Sequence, residues 1–509
     1  MLWNDWWMMV CALRCACARE QTFLWMTLCL AGIITRKDLL GVTSIVRALG
    51  LEPACYDRLL DFFHSPALDL NKLTRAWTVL VFRFHPAILR VNGMPVLVAD
   101  GIKVAKAGKK MPAVKKLHQE SGSNTKPEYI FGHSCQAIAV LTQALASVFA
   151  VPLACRIHEG VVFSNRDQRT LLDKMILLLD SLGLSVPCYF VVDAYYASGK
   201  TVRGLLAKGN HLVTRVKSNS VAFELATPPP PDKPRHRGRP KKYGQKIKVS
   251  SLLKETGLLQ EALSPVYGDK DLKLQFRTAD LLWRPVGILV RFVAVLHPQR
   301  GAIPLMSTDT TLAPLDIIRL YGLRFKIEVS FKQAIHGIGT YAYHFWMRDM
   351  TPIRPVSGNQ YMHHKSEQYR NDVRRKIAAY HRHIQLGLIA VLLRFVVHVL
   401  VAADGAYRRH VSHPEVIGIG ADAVDGLLEG HFDFESQANA LITLAPVEAD
   451  DVERGQGRVG AHQQDGAALG MEYRDEADED AGGPPQQVGG AELELDILVA
   501  IDWAERFLE

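Results

Sequence analysis

Apolar residues recur at every third or fourth position through "RKDLLGVTSIVRALGL" (36–51) and "ACYDRLLDFFHSPALDLNKLTRAWTVLVFRF" (54–84). That spacing follows the 3.6-residue turn of an α-helix, so residues 1–90 read as a helical N-terminal domain. From Pro95 the pattern changes. "PVLVADGIKV", "CQAIAVLTQ" and "SVFAVPLACRI" are β-rich runs, followed by a helical stretch, "RDQRTLLDKMILLLDSLGL", and an apolar strand, "PCYFVVDAYY". A second helix, "SGKTVRGLLAKG", leads to another strand, "HLVTRV". Strands that alternate with helices and are apolar throughout predict an α/β core whose sheet is covered on both faces.

A proline-rich basic segment interrupts this core. Beyond it "LKLQFRTADLLW", "GILVRFVAVLHP" and "AIPLMSTDT" predict three strands with a small sheet of their own. The helix "PLDIIRLYGLRFKIEVSFKQAI" then starts at Pro314, where proline suits a first turn. The chain therefore divides into a helical part (1–90), the first part of the core (91–222), a basic linker with a β-rich insertion (223–312), the C-terminal part of the core (313–404) and a tail (405–509).

Composition sharpens this division. From Gly405 onward there are 6 Arg, no Lys and 23 Asp or Glu, so a formal charge of +8 for the whole chain hides a tail of −17 and a body of +25. The tail reads as acidic and low in order. A body that basic suits a polyanion, because cations that neutralise phosphates release counterions; an ordinary basic surface is the plainer reading. The tryptophan-rich N-terminus is interrupted by Arg14, Arg19 and Glu20, and its clean apolar run, Phe23 to Thr35, is too short to span a bilayer. Buried helices, no signal peptide and no membrane are expected. Eight cysteines form no CxxC pair and no zinc spacing, which fits free thiols in a reducing cytoplasm.

Two aspartates end apolar strands, Asp100 in "VLVADGIKV" and Asp193 in "FVVDAYYASGK", where a charge is costly without a partner. Each is also an ordinary turn or cap former. Carboxylates on neighbouring strand ends can share divalent ions, and Glu328 in "YGLRFKIEVSFKQ" is the best third carboxylate, although alone it reads as a surface residue paired with Lys332. "KVAKAGKKMPAVKK" carries Lys109 and Lys110 and lines a DNA channel or a solvated loop. His133 reads as a structural histidine sooner than a group near the metals. Tyr341 to Trp346, "YAYHFW", reads as helix packing sooner than a surface on which an unpaired base stacks. "ASGKT" lacks the first glycine of a nucleotide-binding loop.

With a basic, β-rich insertion between the second and third carboxylates, the chain resembles bacterial insertion-sequence transposases of the DDE type. Tyr321, Arg324 and Glu328 match the Tyr-x2-Arg-x3-Glu-x6-Lys signature of one subgroup in type and spacing. Ile335 stands where that signature has lysine, and Lys332 is the nearest substitute. The resemblance covers residues 8 to 390 and implies a ribonuclease H-like catalytic core. It also implies two Mg²⁺ or Mn²⁺ ions on Asp100, Asp193 and Glu328, and Tyr321, Arg324 and Lys332 on DNA phosphate near the cut. The implied reaction is hydrolysis at a transposon end, then attack of the freed 3′-hydroxyl on target DNA. The implied partners are double-stranded inverted repeats and target DNA, with a homodimer in the bacterial cytoplasm, associated with the nucleoid. A decayed or co-opted transposase that only binds DNA is the alternative.

Past residue 389 the family's continuation stops, which suggests translation out of frame; a transposase-like continuation in another reading frame of the gene is the expected result. Arg237-Gly-Arg-Pro in "PRHRGRPKKYG", with Lys241 and Lys242, resembles an AT-hook, in which arginines enter a narrow minor groove. Replacing Arg237 and Arg239 by Ala is expected to weaken DNA binding and flatten its salt dependence by about one unit of slope per lost phosphate contact. An unchanged slope makes the segment a linker.

Overall fold

The computed structural model describes residues 2–84, 87–119, 127–144, 147–227, 241–266, 269, 271–354 and 358–410. Five helices come first: α1 (Leu2–Ala12), α2 (Glu20–Thr35), α3 (Val42–Ala48), α4 (Cys55–His64) and α5 (Leu70–Phe84). The strands β1 (Arg90–Val91), β2 (Met94–Ala105), β3 (Lys115–His118), β4 (Tyr129–Ala144), β5 (Ser147–Ile157) and β6 (Val161–Val162) follow. Next are α6 (Leu171–Ser181), β7 (Tyr189–Val192), α7 (Gly199–Leu206) and β8 (His211–Arg215).

Five of these strands lie in the order β5-β4-β2-β7-β8. β2, β7 and β8 run parallel, and β4 is antiparallel to both β2 and β5. An antiparallel meander followed by two helical crossovers, α6 and α7, is the ribonuclease H-like arrangement. Each crossover starts at a satisfied helix end. Thr170 and Asp173 form a reciprocal capping box for α6, and Ser198 Oγ accepts from Thr201 N at 3.2 Å for α7. All four residues of β7 are buried, as a strand covered on both faces requires.

The insertion contributes β9 (Val221–Leu225), β10 (Tyr243–Lys248), β11 (Gln260–Leu263), β12 (Lys273–Trp283), β13 (Ile288–His297) and β14 (Gly301–Ser307). The expected separate sheet does not form. β14 pairs antiparallel with β8, Thr214 opposite Met306, and carries the core sheet on through β13, β12, β9 and β10. The outer edge of β8 has unpaired backbone groups, and β14 satisfies them.

The late helix also differs from its expected form. It is two helices, α8 (Pro314–Gly322) and α9 (Lys326–His336), with a tight turn at Leu323 to Phe325. Arg324 N bonds Tyr321 O and Lys326 N bonds Leu323 O, both at 3.1 Å and both three residues back, so the helix tightens and restarts there. Tyr341 stands in a turn and residues 342–347 form neither helix nor strand, so the helix expected there is absent. Last come β15 (Gln360–Tyr361), which pairs with β6, and the long α10 (Glu367–His410).

One apolar cluster runs from Trp6 in α1, through the sheet, to Leu393 in α10. Helices α5 and α10 close the outer edge of β5. Trp77 Nε1 donates to Pro152 O (3.0 Å), Gln385 Nε2 donates to Leu153 O (2.9 Å), and Ile157 N donates to His381 Nε2 (2.9 Å). The eight cysteines are free thiols. Among the described residues no helix is long and apolar enough to cross a membrane. The AT-hook arginines and the tail past residue 410 lie outside the described residues.

Lys106 is buried within this core. Its Nζ donates to the carbonyl oxygens of Tyr341 and Tyr343 and lies 3.7 Å from the centre of the Tyr343 ring. Burial pushes its pKa down to about 7, with Cys135 opposing. Below pH 7 the amine is charged both folded and unfolded, and the folded state bears the full desolvation cost. Between 7 and the unfolded value of 10.5 only the unfolded chain keeps the proton, so stability rises with pH. The wild type is therefore expected to gain about 3 kcal/mol on Lys106→Met between pH 6.5 and 9.5. Denaturant unfolding at the two pH values measures it, and a pH-independent gap refutes it.

Candidate active site

The register of the central strands brings the two aspartates together. Val98 on β2 lies beside Val191 on the parallel β7. Asp100, within β2, and Asp193, one residue past the end of β7, are each two residues further on, so the parallel register carries them to a similar level of adjacent strand lines. Asp193 also caps the short turn Ala194–Tyr196. Its Oδ1 accepts from Tyr195 N at 3.1 Å, and its carbonyl oxygen accepts from Thr214 Oγ1 on β8 at 2.7 Å. The capping role and the role of a site carboxylate thus coincide in one residue.

Glu328 stands in the first turn of α9, which buries Ile327, Phe331 and Ala334 and packs across β2 and β5. Four residues earlier, in the turn between α8 and α9, Arg324 is only 8% exposed. Its Nη1 donates to Asp100 Oδ2 at 2.9 Å and lies 3.1 Å from Glu328 Oε1. Burial alone would lower the guanidinium pKa. Asp100, Glu328, Tyr321 and Asp193 together outweigh it, and the net displacement is upward. A single buried cation is therefore coupled to all three carboxylates.

Tyr196 reports the same charge. Burial raises its hydroxyl pKa, the bond from Gln136 Nε2 (2.9 Å) opposes this, and the charges of Asp100 and Asp193 add to the rise. Tyr196 and Gln136 were not singled out in the sequence. A lone amide inside the apolar run "CQAIAV" was the available signal for Gln136, while Tyr196 looks like any buried aromatic.

The donor set is entirely carboxylate oxygen, which is what hard divalent cations such as Mg²⁺ or Mn²⁺ take. Asp100 and Glu328 already bracket a cationic group, so the residues fit such an ion. Among the described residues no group of three His, Cys, Asp or Glu side chains is close enough to hold one ion as it stands. The guanidinium bridges two of the three carboxylates.

The remaining expected site residues are dispersed. Tyr321 is half-buried against the core. Lys332 is exposed one turn past Glu328 and forms no ion pair among the described residues, so the helical partner of Glu328 is Arg324 rather than Lys332. Ile335, at the signature's lysine position, packs against the core. Lys109 is exposed and Lys110 donates to Arg348 O at 3.0 Å, both in the loop after β2. Lys241 and Lys242 are exposed beside β10, at the opposite edge of the sheet. His133 is buried between Tyr343 and the Pro112 carbonyl, and burial lowers its pKa to about 3, so its role is structural.

Residues 13–264 match a family described as DDE superfamily endonuclease, a span that includes Asp100 and Asp193 and ends before Glu328. No curated protein matches the sequence. Among solved structures the chain matches a piggyBac transposase, determined as a synaptic complex with hairpin DNA, at 11% identity and a TM-score of 0.30. The match covers 80% of this chain and 79% of that one.

Removing Arg324 leaves Asp100 and Glu328 facing each other without their shared cation. Arg324→Ala is expected to lower stability by about 3 kcal/mol at neutral pH. Mg²⁺ should then stabilise the variant more than the wild type, as thermal unfolding with and without the ion would record. An unchanged melting temperature refutes the expectation.

Proposed function

We propose, from the match of residues 13–264 to the DDE superfamily of endonucleases, that the protein is a DNA transposase. The observation that supports the reading is the pairing of the buried Arg324 guanidinium with Asp100 at 2.9 Å and Glu328 at 3.1 Å, with the charge of Asp193 also acting on it, in a ribonuclease H-like core. The substrate is double-stranded DNA, comprising transposon ends and a target, bound by a homodimer in the cytoplasm.

In the proposed reaction water attacks a phosphodiester at the transposon end, and the P–O3′ bond breaks to leave a 3′-hydroxyl. That hydroxyl then attacks a target phosphodiester, forming one P–O bond as another breaks. Asp100, Asp193 and Glu328 would hold Mg²⁺ or Mn²⁺. Two such ions, when bound, lower the pKa of the attacking hydroxyl and offset charge on the phosphate oxygens. Arg324 fixes the spacing of Asp100 and Glu328, and the Asp193 cap fixes the start of the Ala194–Tyr196 turn. Asp100 and Asp193 stand on a rigid sheet, which favours precise placement of a phosphate. No Ser or Tyr nucleophile is needed, because each step is direct displacement.

A second reading, a DNA-binding protein without catalysis, is favoured by Ile335, a packed apolar residue at the signature's lysine position. Supercoiled plasmid with Mg²⁺ or Mn²⁺ separates the two. Wild type is expected to nick it, and Asp193→Ala to lose at least a hundred-fold of that rate, on the order of the loss when one charge-stabilising group is removed. Plasmid binding without nicking supports the second reading.

A further inference from the structure

The segment from Tyr341 to Met347 is in neither helix nor strand, and its side chains alternate between two environments. Tyr341, Tyr343, Phe345 and Met347 are buried, while His344, Trp346 and Arg348 line the exposed face. The buried side is tightly anchored. Tyr343 stacks on Tyr380 with ring centres 4.7 Å apart, and Tyr380 Oη donates to Phe345 O at 2.7 Å. Main-chain bonds clip the segment to the lysine loop after β2: Met347 N to Lys110 O at 2.9 Å, and Ile353 N to Lys109 O at 2.7 Å.

Trp346 is thus held at both flanks yet is 63% exposed. A Cβ placed on Gly108 would lie 3.5 Å from its indole Nε1, so the ring lies alongside a glycine of the lysine loop. Exposed Lys109 and Arg348 flank it, with Asp349 as the nearby acid in sequence. An indole left in water on a pre-organised backbone is a stacking surface without its partner. Cations beside it select a partner that carries phosphate as well as a flat ring.

We infer that Trp346, with Lys109 and Arg348, forms a platform on which an unpaired DNA base stacks while its phosphates meet the cations. A base inside a duplex already has stacking partners on both faces, so the platform suits a frayed or overhanging end. The assignment rests on the reading of the protein as a DNA-processing enzyme, and it adds where a single-stranded part of that DNA is held.

Fluorescence anisotropy with the full chain tests this, using two labelled probes: a blunt duplex, and the same duplex with a short unpaired 3′ extension. Wild type is expected to bind the extended probe more tightly. Trp346→Ala should lose roughly ten-fold on the extended probe and little on the blunt one, while Trp346→Phe retains most of the affinity. Equal loss on both probes, or none on the extended one, overturns the platform and leaves the plasmid-nicking reading intact. If wild type binds neither probe, both readings fall. If Trp346→Ala instead abolishes self-association in sedimentation velocity, the ring is a protein interface and the proposal fails.

Discussion

A buried guanidinium shared between two carboxylates sets the geometry of this site. Arg324 joins the turn before α9 to β2, across 224 residues of sequence, through one bond to Asp100. The same nitrogen reaches Glu328. A buried cation must be paired, and carboxylates placed together must be neutralised. Each requirement meets the other here. The tight turn at Leu323 to Phe325 sits where one uninterrupted helix was expected, and it is this turn that carries Arg324.

Two other buried cations show why the direction of a pKa displacement is informative. Lys106 meets only carbonyl oxygens and a ring, and its pKa falls to about 7. Arg156 donates to the Cys155 carbonyl, Gln385 and Thr74, and its pKa falls to about 10. Neutral acceptors satisfy the hydrogens but do not return the lost hydration of a charge. Arg324 is also buried, yet it is displaced upward. Only concentrated negative charge reverses the sign, so the site's charge is visible in the behaviour of the residue it surrounds.

Much of this was legible in the sequence because apolar patterning and register have short-range causes. Asp193 does follow the end of its apolar strand, whereas Asp100 lies within β2, which runs on to Ala105; the parallel pairing of Val98 with Val191 is what brings the two near each other. The one-turn spacing of Glu328 and Lys332 suggested that pair, but Arg324, expected on DNA phosphate, is the residue that lies 3.1 Å from Glu328. Charge decided otherwise, since Arg324 can serve two carboxylates at once from a buried position. The attachment of β14 to β8 was not legible. It depends on which sheet edge is left open after folding, and no local pattern encodes that. The non-helical course of residues 342–347 was hidden for a related reason: alternating aromatics fit a buried strand or a packed helix, and the backbone bonds to the loop after β2 are long-range contacts that no local pattern encodes.

The formal charges at the site bear on the order of events in the proposed reaction. Three carboxylates and one guanidinium leave an excess of negative charge, and a phosphodiester would add to it. Arg324 therefore offsets part of this charge without making the site receptive to DNA backbone. Divalent ions held there would reverse the balance, but they would compete with Arg324 for Asp100 and Glu328. Tight ion-pairing by Arg324 would stabilise the resting protein and weaken its hold on metal; loose pairing would do the reverse. The buried cation that holds Asp100 and Glu328 near each other would thus also be the group with which a catalytic ion shares them.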